Sequence, residues 1–373
     1  MSSSRIGIVA MEYQFPKYVI KQEEVANGLK IDINKLKIGL GLEEFSVPDQ
    51  NEDCVSLALS AISNLLEKNS IDLNDVGKIE VGSESNFDGA KSIKSYLMDV
   101  FSGNNSISGC DNINACYGGT NALLNSLAWL DSCLCTKKYA IVVCTDISLY
   151  QDKSCIPTSG GGAVAMLLGK DPVLAIIPKD MRHYSSNECD FLKPVKSYPF
   201  PAIKGKESID VYFKAFEHLY SQSLVEHDYI AFHAPYPKLV RKLCQKHNIE
   251  PSKYEASLLT SRRNGNSYTA SLYFSLISLL SKVDVAVNER ILMFSFGSGC
   301  VATLFCLEKV REGCDFKDFE ERLNKRRPIQ FSSYLKIVNN WRNPSVDSLD
   351  GVKEDGKRFS IQEIVGDSRR YGK

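Results

Sequence analysis

The sequence holds 373 residues, 43% hydrophobic and 24% charged, with 45 Lys plus Arg against 45 Asp plus Glu. This is the composition of an ordinary globular chain, and the even balance excludes a global field that would gather nucleic acid or an anionic membrane surface. An acidic ligand therefore needs a local basic patch. No apolar run reaches the ~18 residues of a membrane span. The start, MSSSRIGIVAMEYQF, lacks both the longer apolar core of a secretory signal and the Arg-rich pattern of a transit peptide, so a cytoplasmic location is expected. The 12 cysteines are irregularly spaced, which without a secretion signal reads as reduced thiols. Cys133 and Cys135 form a lone CxC with no second pair to complete a zinc site, so no metal is expected.

Taken in chain order, RIGIVAMEY reads as a strand, and residues 53–68 as a helix with apolar positions three and four apart. GKIEVGSES is a strand running into a loop, AKSIKSYLMDVF a helix, and SISGCDNINACYGGT a strand followed by a Gly-containing turn. NALLNSLAWLDSCL is a helix with Leu123, Leu124, Leu127 and Leu130 on one side. KKYAIVVCTDIS is a continuous apolar run, the mark of a buried strand. SGGGAVAMLLG reads as a Gly turn and another strand. The second half repeats the alternation: amphipathic IDVYFKAFEHLYSQSLVE, strand DYIAFHA, helix PKLVRKLCQKHN with Pro237 in its first turn, and long apolar helix NSYTASLYFSLISLLSK. RILMFSFGSG and CVATLFCLEKV then form two strands joined by a Gly turn. The pattern predicts an α/β protein with buried sheets and two similar halves, 1–169 and 170–373. From about Gly351 the tail is polar and poorly periodic, so partial disorder is expected there.

The most informative segment is Asn114-Ala115-Cys116-Tyr117-Gly118-Gly119-Thr120. It places a cysteine between a strand and an amphipathic helix, where unpaired N–H groups and the positive dipole end favour thiolate over thiol. Such a thiolate suits attack on a thioester, and the small residues after it let a ligand approach the backbone. By spacing alone, a buried structural cysteine on a turn accounts for the segment equally well. Of the five histidines, His183, His218, His227 and His247 lie in polar or helical contexts and read as surface residues. His233 ends the strand DYIAF just before Pro235, where a site loop would begin.

NACYGGTNAL resembles the active-site segment of hydroxymethylglutaryl-CoA synthases. So, in the same order along the chain, do FPKYV, IGLG at 38–41, VGSES at 81–85, PTSGGGAVAMLLG at 157–169, DFLKP at 190–194, YPFPAIKGKESIDVYF at 198–213, FHAPYPKLV at 232–240, GNSYTASLY at 265–273 and FSFGSG at 294–299. Collinearity over nearly the whole chain is far more specific than any one motif.

The resemblance implies a thiolase-like fold of two similar halves in alternating layers of helices and sheets, and a homodimer. It implies an acyltransferase of the mevalonate pathway of isoprenoid biosynthesis that condenses acetyl-CoA with acetoacetyl-CoA, the CoA esters being substrates and no metal or redox cofactor being used. Cys116 would carry the acetyl group. Glu84, at the end of IEVGSES, would be the carbon base, a carboxylate made more basic by apolar surroundings. Glu80 is a weaker competitor for that role. His233 and Asn266 would hold the acceptor, and the N–H groups of Cys116 and Ser298 would form an oxyanion hole. Lys238 and Lys242, four apart on one helix, would supply the positive patch for CoA phosphates; a solvated basic face explains Lys242 as well. Tyr150, Thr158, Asp190 and Ser208 match other pocket positions, and Asp32 one near the CoA. Ser154 stands where family members often carry Asn, and Ala234 where they carry Ser. The segment between His247 and Ser261 is shorter than in eukaryotic enzymes, as in the bacterial branch. Two alternatives follow: a β-branching synthase whose acceptor rides on an acyl carrier protein, for which the mouth would lack a basic patch, and a non-catalytic thiolase-fold scaffold, against which the intact Cys116, Glu84 and His233 argue.

Overall fold

The computed structural model describes residues 5–194, 199–223, 225–341, 343–351 and 358–373. Nine strands form the main sheet: β1 (Gly7–Gln14), β2 (Val76–Gly82), β3 (Asp111–Asn112), β4 (Tyr139–Ser148), β5 (Gly160–Gly169), β6 (Leu174–Ser185), β7 (Tyr229–Phe232), β8 (Arg290–Gly297) and β9 (Val301–Lys309). Five helices pack on them: α1 (Cys54–Lys68), α2 (Gly118–Asp131), α3 (Gly205–Tyr220), α4 (Pro237–Lys246) and α5 (Ser271–Lys282).

The strand order is β7-β8-β9-β6-β1-β5-β4-β2-β3, and it contains one ladder twice. In the first half β1 is antiparallel to β5, β5 antiparallel to β4, and β4 parallel to β2. In the second, β6 is antiparallel to β9, β9 antiparallel to β8, and β8 parallel to β7. The sets meet where Gly7 pairs with Ala175 and Ile8 with Leu174. A side chain at Gly7 would overlap the Leu174 carbonyl, so this join requires glycine.

Strand periodicity sorts the side chains into layers. Ile141 and Val143 of β4 share a core with α1, whereas Ala140, Val142 and Cys144 face the core that contains α2. Ile291 and Met293 of β8 join that same inner core with α5, and Leu292, Phe294 and Phe296 pack with α3 and α4. Helices α2 and α5 thus lie between the two half-sheets, with α1 on one outer face and α3 and α4 on the other. Residues 271–279 of α5 are all buried, as expected for a helix enclosed on every side. Helix α1 begins with a capping box, the Asp53 carboxylate accepting from the Ser56 N–H while Ser56 Oγ accepts from the Asp53 N–H.

The α/β alternation and the two similar halves expected from the sequence are present; several boundaries differ. The glycines of SGGGAVAMLLG belong to β5 itself rather than to a turn before it, because a side chain at Gly160 would press on Asn264 and Asn266. The helix expected in AKSIKSYLMDVF shrinks to Ile93–Leu97 plus a 3-10 turn, and the strand before Cys116 to Asp111–Asn112. A 3-10 turn, Tyr268–Ala270, precedes α5 and leaves Asn266 in a loop.

The tail departs most from expectation. Residues 352–357 and Tyr198 lie outside the described residues. Beyond them Ser360–Val365 and Ser368–Gly372 form an ordered hairpin. Arg369 and the Tyr371 hydroxyl both bond Asp53 Oδ2 at 2.7 Å, Arg369 covers the Phe87 ring at 3.7 Å, and Arg358 pairs with Glu52 at 3.1 Å. The acidic loop before α1 supplies the order that local periodicity could not reveal. Among the described residues no helix is long and apolar enough to cross a membrane. All twelve cysteines are free.

Candidate active site

Bare backbone contacts bring four loops together. A side chain at Gly82, the last residue of β2, would overlap Gly119 at the start of α2. One at Gly119 would meet Cys144 Sγ, and the Thr269 carbonyl at 3.1 Å. One at Gly297, the last residue of β8, would lie 2.6 Å from Tyr117 Cβ and 2.9 Å from the Asn114 carbonyl. The end of β2, the Cys116 turn, the 266–269 loop and the Ser298 loop are therefore in mutual contact, and only residues without side chains fit at these crossings.

Asp146, inside β4, ties two of these loops. Its Oδ1 accepts from the Glu84 N–H at 2.8 Å, Ser83 Oγ at 3.1 Å and Ser85 Oγ at 2.7 Å. Its Oδ2 accepts from the Thr269 N–H at 2.9 Å and from the Thr269 hydroxyl. Glu84 follows β2 with its side chain 6% exposed, and Lys193 Nζ lies 2.9 Å from its Oε1. Burial is the largest influence on the Glu84 carboxyl, raising it against the pull of Lys193; Asp146 raises it further, and the outcome is about 7. A carboxyl so placed exchanges protons near neutrality.

Cys116 stands two residues before α2, with Ala115 at φ 38° and Tyr117 at the helix cap. Burial, then Glu84, then Asp146 push its thiol well above the usual range, with Lys193 acting the other way. This corrects the expectation of a resting thiolate. The helix end favours the thiolate at Cys116, but burial and two acidic groups outweigh it, so the thiol is favoured in the free site.

His233 follows β7. Its N–H donates to the Phe294 carbonyl at 2.8 Å, its carbonyl accepts from the Tyr212 hydroxyl at 2.7 Å, and the residue is 3% exposed. Burial pushes the imidazole down to about 3, so the ring is neutral, and Nδ1 has no partner among the described residues. The register sets His233 beside Ser295, whose hydroxyl meets Thr120 Oγ1 of α2 at 2.7 Å. Asn266 Oδ1 accepts from the Tyr268 N–H at 3.0 Å and its own N–H donates to the Thr158 carbonyl at 3.2 Å. That leaves its amide NH2 without a protein partner among the described residues.

The remaining candidates divide. Tyr150 is buried, its ring edge-on to Tyr268 at 6.4 Å, and both Cys116 and Glu84 act on its hydroxyl, which burial raises. Buried Asp190 accepts from the Gly299 N–H at 3.0 Å through Oδ1, anchoring the Ser298 loop. Thr158 is half-buried, its hydroxyl donating to the Cys155 carbonyl. Asp32 is exposed and caps the short helix Ile33–Lys37 by accepting from the Asn34 N–H. The segment after that helix abuts α4, the Lys238 N–H donating to the Leu40 carbonyl at 3.0 Å. Lys238 is half-buried and Lys242 exposed, on that helix. Ser154 is exposed and bonds Asp152, and Ser208 is half-buried near the start of α3. Among the described residues no hydrogen bond joins Asp32, Ser154, Ser208, Lys238 or Lys242 to Glu84, Cys116 or His233. Of the histidines read as surface residues, His183 and His218 are exposed, whereas His227 and His247 are half-buried, His247 packing on Phe216 and Tyr220. No cluster of three or more His, Cys, Asp or Glu among the described residues is placed to hold a metal ion.

Sequence reasoning missed Asp146, Lys193 and Thr269. Asp146 left a signal: it is the one acid inside the apolar run YAIVVCTDIS, and a buried acid demands donors. Lys193 left none beyond its place in DFLKP.

A model of the hydroxymethylglutaryl-coenzyme A synthase N-terminal region matches residues 2–173, and one of the C-terminal region residues 244–344. Hydroxymethylglutaryl-CoA synthase B of Dictyostelium discoideum is 34% identical over an alignment 413 positions long, covering 90% of this chain and 88% of that protein. The corresponding enzyme of Mycosarcoma maydis is 34% identical, covering 89% and 88%. A solved structure of MvaS in complex with 3-hydroxy-3-methylglutaryl coenzyme A superposes with a TM-score of 0.89 at 28% identity, covering 99% of each chain. One of an HMG-CoA synthase complexed with CoA gives 0.88 at 26% identity, covering 99% of this chain and all of that one. With the family's regions matched in order and relatives aligned over most of both chains, this chain belongs to the hydroxymethylglutaryl-CoA synthase family.

Proposed function

We propose that the chain condenses acetyl-CoA with acetoacetyl-CoA and water to give hydroxymethylglutaryl-CoA and CoA, as a cytoplasmic homodimer. Cys116 attacks the acetyl thioester; its proton ends on the departing CoA thiol, leaving an acetyl-enzyme. Backbone N–H groups of Cys116 and Ser298 receive the developing oxyanion. Glu84 then takes a proton from the acetyl methyl, and the carbanion adds to the ketone of acetoacetyl-CoA. The neutral His233 ring and the Asn266 amide steady the new alkoxide, which is protonated to the alcohol. Water cleaves the enzyme thioester and restores the thiol.

The observation that carries this reading is Glu84: a buried carboxyl, poised at about 7, whose charge is felt by the Cys116 sulfur. A base of that strength suits a weak carbon acid at neutral pH. Lys238 and Lys242, beside the segment that Asp32 caps, offer charge for CoA phosphates and support free CoA esters over a carrier-bound acceptor.

Peptide mapping after incubation with acetyl-CoA should find acetyl on Cys116, and Cys116→Ala should lose both acetylation and turnover. Acetyl on another cysteine would overturn the nucleophile. Turnover with carrier-bound but not free acetoacetyl groups would overturn the acceptor.

A further inference from the structure

Phe191–Leu192 and Ala202–Ile203 form a small ladder outside the main sheet, and the residues on either side of Phe191–Leu192 touch the site. Asp190 holds the Gly299 N–H, and Lys193 reaches Glu84. The Lys193 side chain is only 12% exposed. Its Nζ donates to Glu84 Oε1 at 2.9 Å and to the Glu84 carbonyl at 3.2 Å, and lies 4.3 Å from the centre of the Tyr268 ring.

An ammonium group has three N–H donors. Both of its acceptors belong to Glu84, and the Tyr268 ring covers a further side of the ammonium group. Lys193 therefore acts on Glu84 and not on substrate. Oε2 of Glu84 has no partner among the described residues. We infer that Lys193 is a positioning residue of the condensation step, clamping Oε1 so that Oε2 is the oxygen that takes the methyl proton. Without it Glu84 would lie buried beside Asp146 with no cation to offset either burial or the neighbouring acid, and it would hold its proton at neutral pH.

This inference rests on Glu84 as the carbon base. The test follows single-turnover condensation of acetyl-enzyme with acetoacetyl-CoA between about pH 5 and about pH 9, where a general base reports its own titration. In Lys193→Gln the midpoint should move up by about one pH unit or more, with the rate recovering toward the parental value above it. Lys193→Arg, which keeps the charge, should hold the parental midpoint. The KM for acetoacetyl-CoA should stay unchanged, because both acceptors of Lys193 belong to Glu84. Should the glutamine variant not fold, Lys193→Met takes its place. An unmoved midpoint, or a loss of the same factor at every pH, would overturn the inference. Glu84→Gln keeps the two claims apart. If it condenses normally, the base assignment itself fails; if it does not condense while Lys193→Gln keeps the parental midpoint, only the role of Lys193 fails.

Discussion

Replacing Glu84 by Gln tests the physics and the chemistry of the site in one variant. Gln has the same size and still offers an oxygen to Lys193, but it does not titrate. In the parent the carboxyl moves from an ordinary 4.5 to about 7 in the fold, chiefly through burial. Between those values the folded state holds a proton that the unfolded chain releases. The stabilisation is therefore complete below about pH 4.5 and is lost as pH rises through about 7. At 1.36 kcal/mol for each pH unit of displacement, the loss is about 3 kcal/mol. The variant should lose none of it. Urea denaturation of both proteins at about pH 5 and about pH 8 gives two differences in unfolding free energy, and contributions from all other groups cancel between them. The variant should gain about 2.5 kcal/mol relative to the parent over that interval, most of the full loss. In the same samples acetyl transfer should persist while condensation falls by about 10² to 10⁴. A stability difference flat with pH would refute the buried, raised carboxyl. Undiminished condensation would refute the base.

Three further outcomes follow from the geometry. Gly297→Ala forces a methyl group to 2.7 Å from the Tyr117 nitrogen; urea denaturation should show a loss of about 1–3 kcal/mol, and acetyl transfer should slow as the Ser298 loop lifts from Cys116. Asp146→Asn turns an acceptor with five donors around it into a group that opposes some of them; a loss of about 3 kcal/mol or more is expected, and both half-reactions should fall because both loops shift. Arg369→Ala leaves the buried Asp53 with Tyr371 as its tail partner; the cost should approach about 3 kcal/mol, the lower end for a broken buried pair, and limited proteolysis should cut the hairpin first.

Much of this was legible because the relevant signals are local. The alternation of β4 and β8 between two cores follows from a period of two, and the turn before α2 announces itself through NACYGGT. What was not legible depends on distant partners. The tail looks polar and aperiodic by itself, yet its arginines answer acids 316 and 306 residues away. The charge state of Cys116 escapes the sequence for the same reason: the helix start is visible there, but the burial of the sulfur and the charges of Glu84 and Asp146 acting on it are not. Lys193 was invisible as a site residue because its role exists only once the fold brings it, 109 positions away in sequence, onto Glu84.

The duplicated ladder explains why the candidate residues occur where they do. Strands β2 and β7 hold equivalent positions, each parallel to the middle strand of its half; Glu84 follows the first and His233 the second. Strands β4 and β8 are those middle strands, and Tyr150 and Ser298 follow them. Helices α2 and α5 are the paired inner helices, touching through Thr120 and the Tyr273 hydroxyl at 2.9 Å; Cys116 precedes one and Asn266 the other. Each proposed role in the first half thus has its counterpart at the same place in the second. Packing α2 against α5 brings the corresponding loops of the two halves together at the Gly82–Gly119 and Gly297–Tyr117 crossings. In the proposed mechanism the first half supplies the thiol and the base, and the second the neutral ring, the amide and the Ser298 N–H. A site built this way has no spare tolerance at the seam, which is why its crossings are glycines, and why Gly82, Gly119 and Gly297 position the chemistry as firmly as the side chains that perform it.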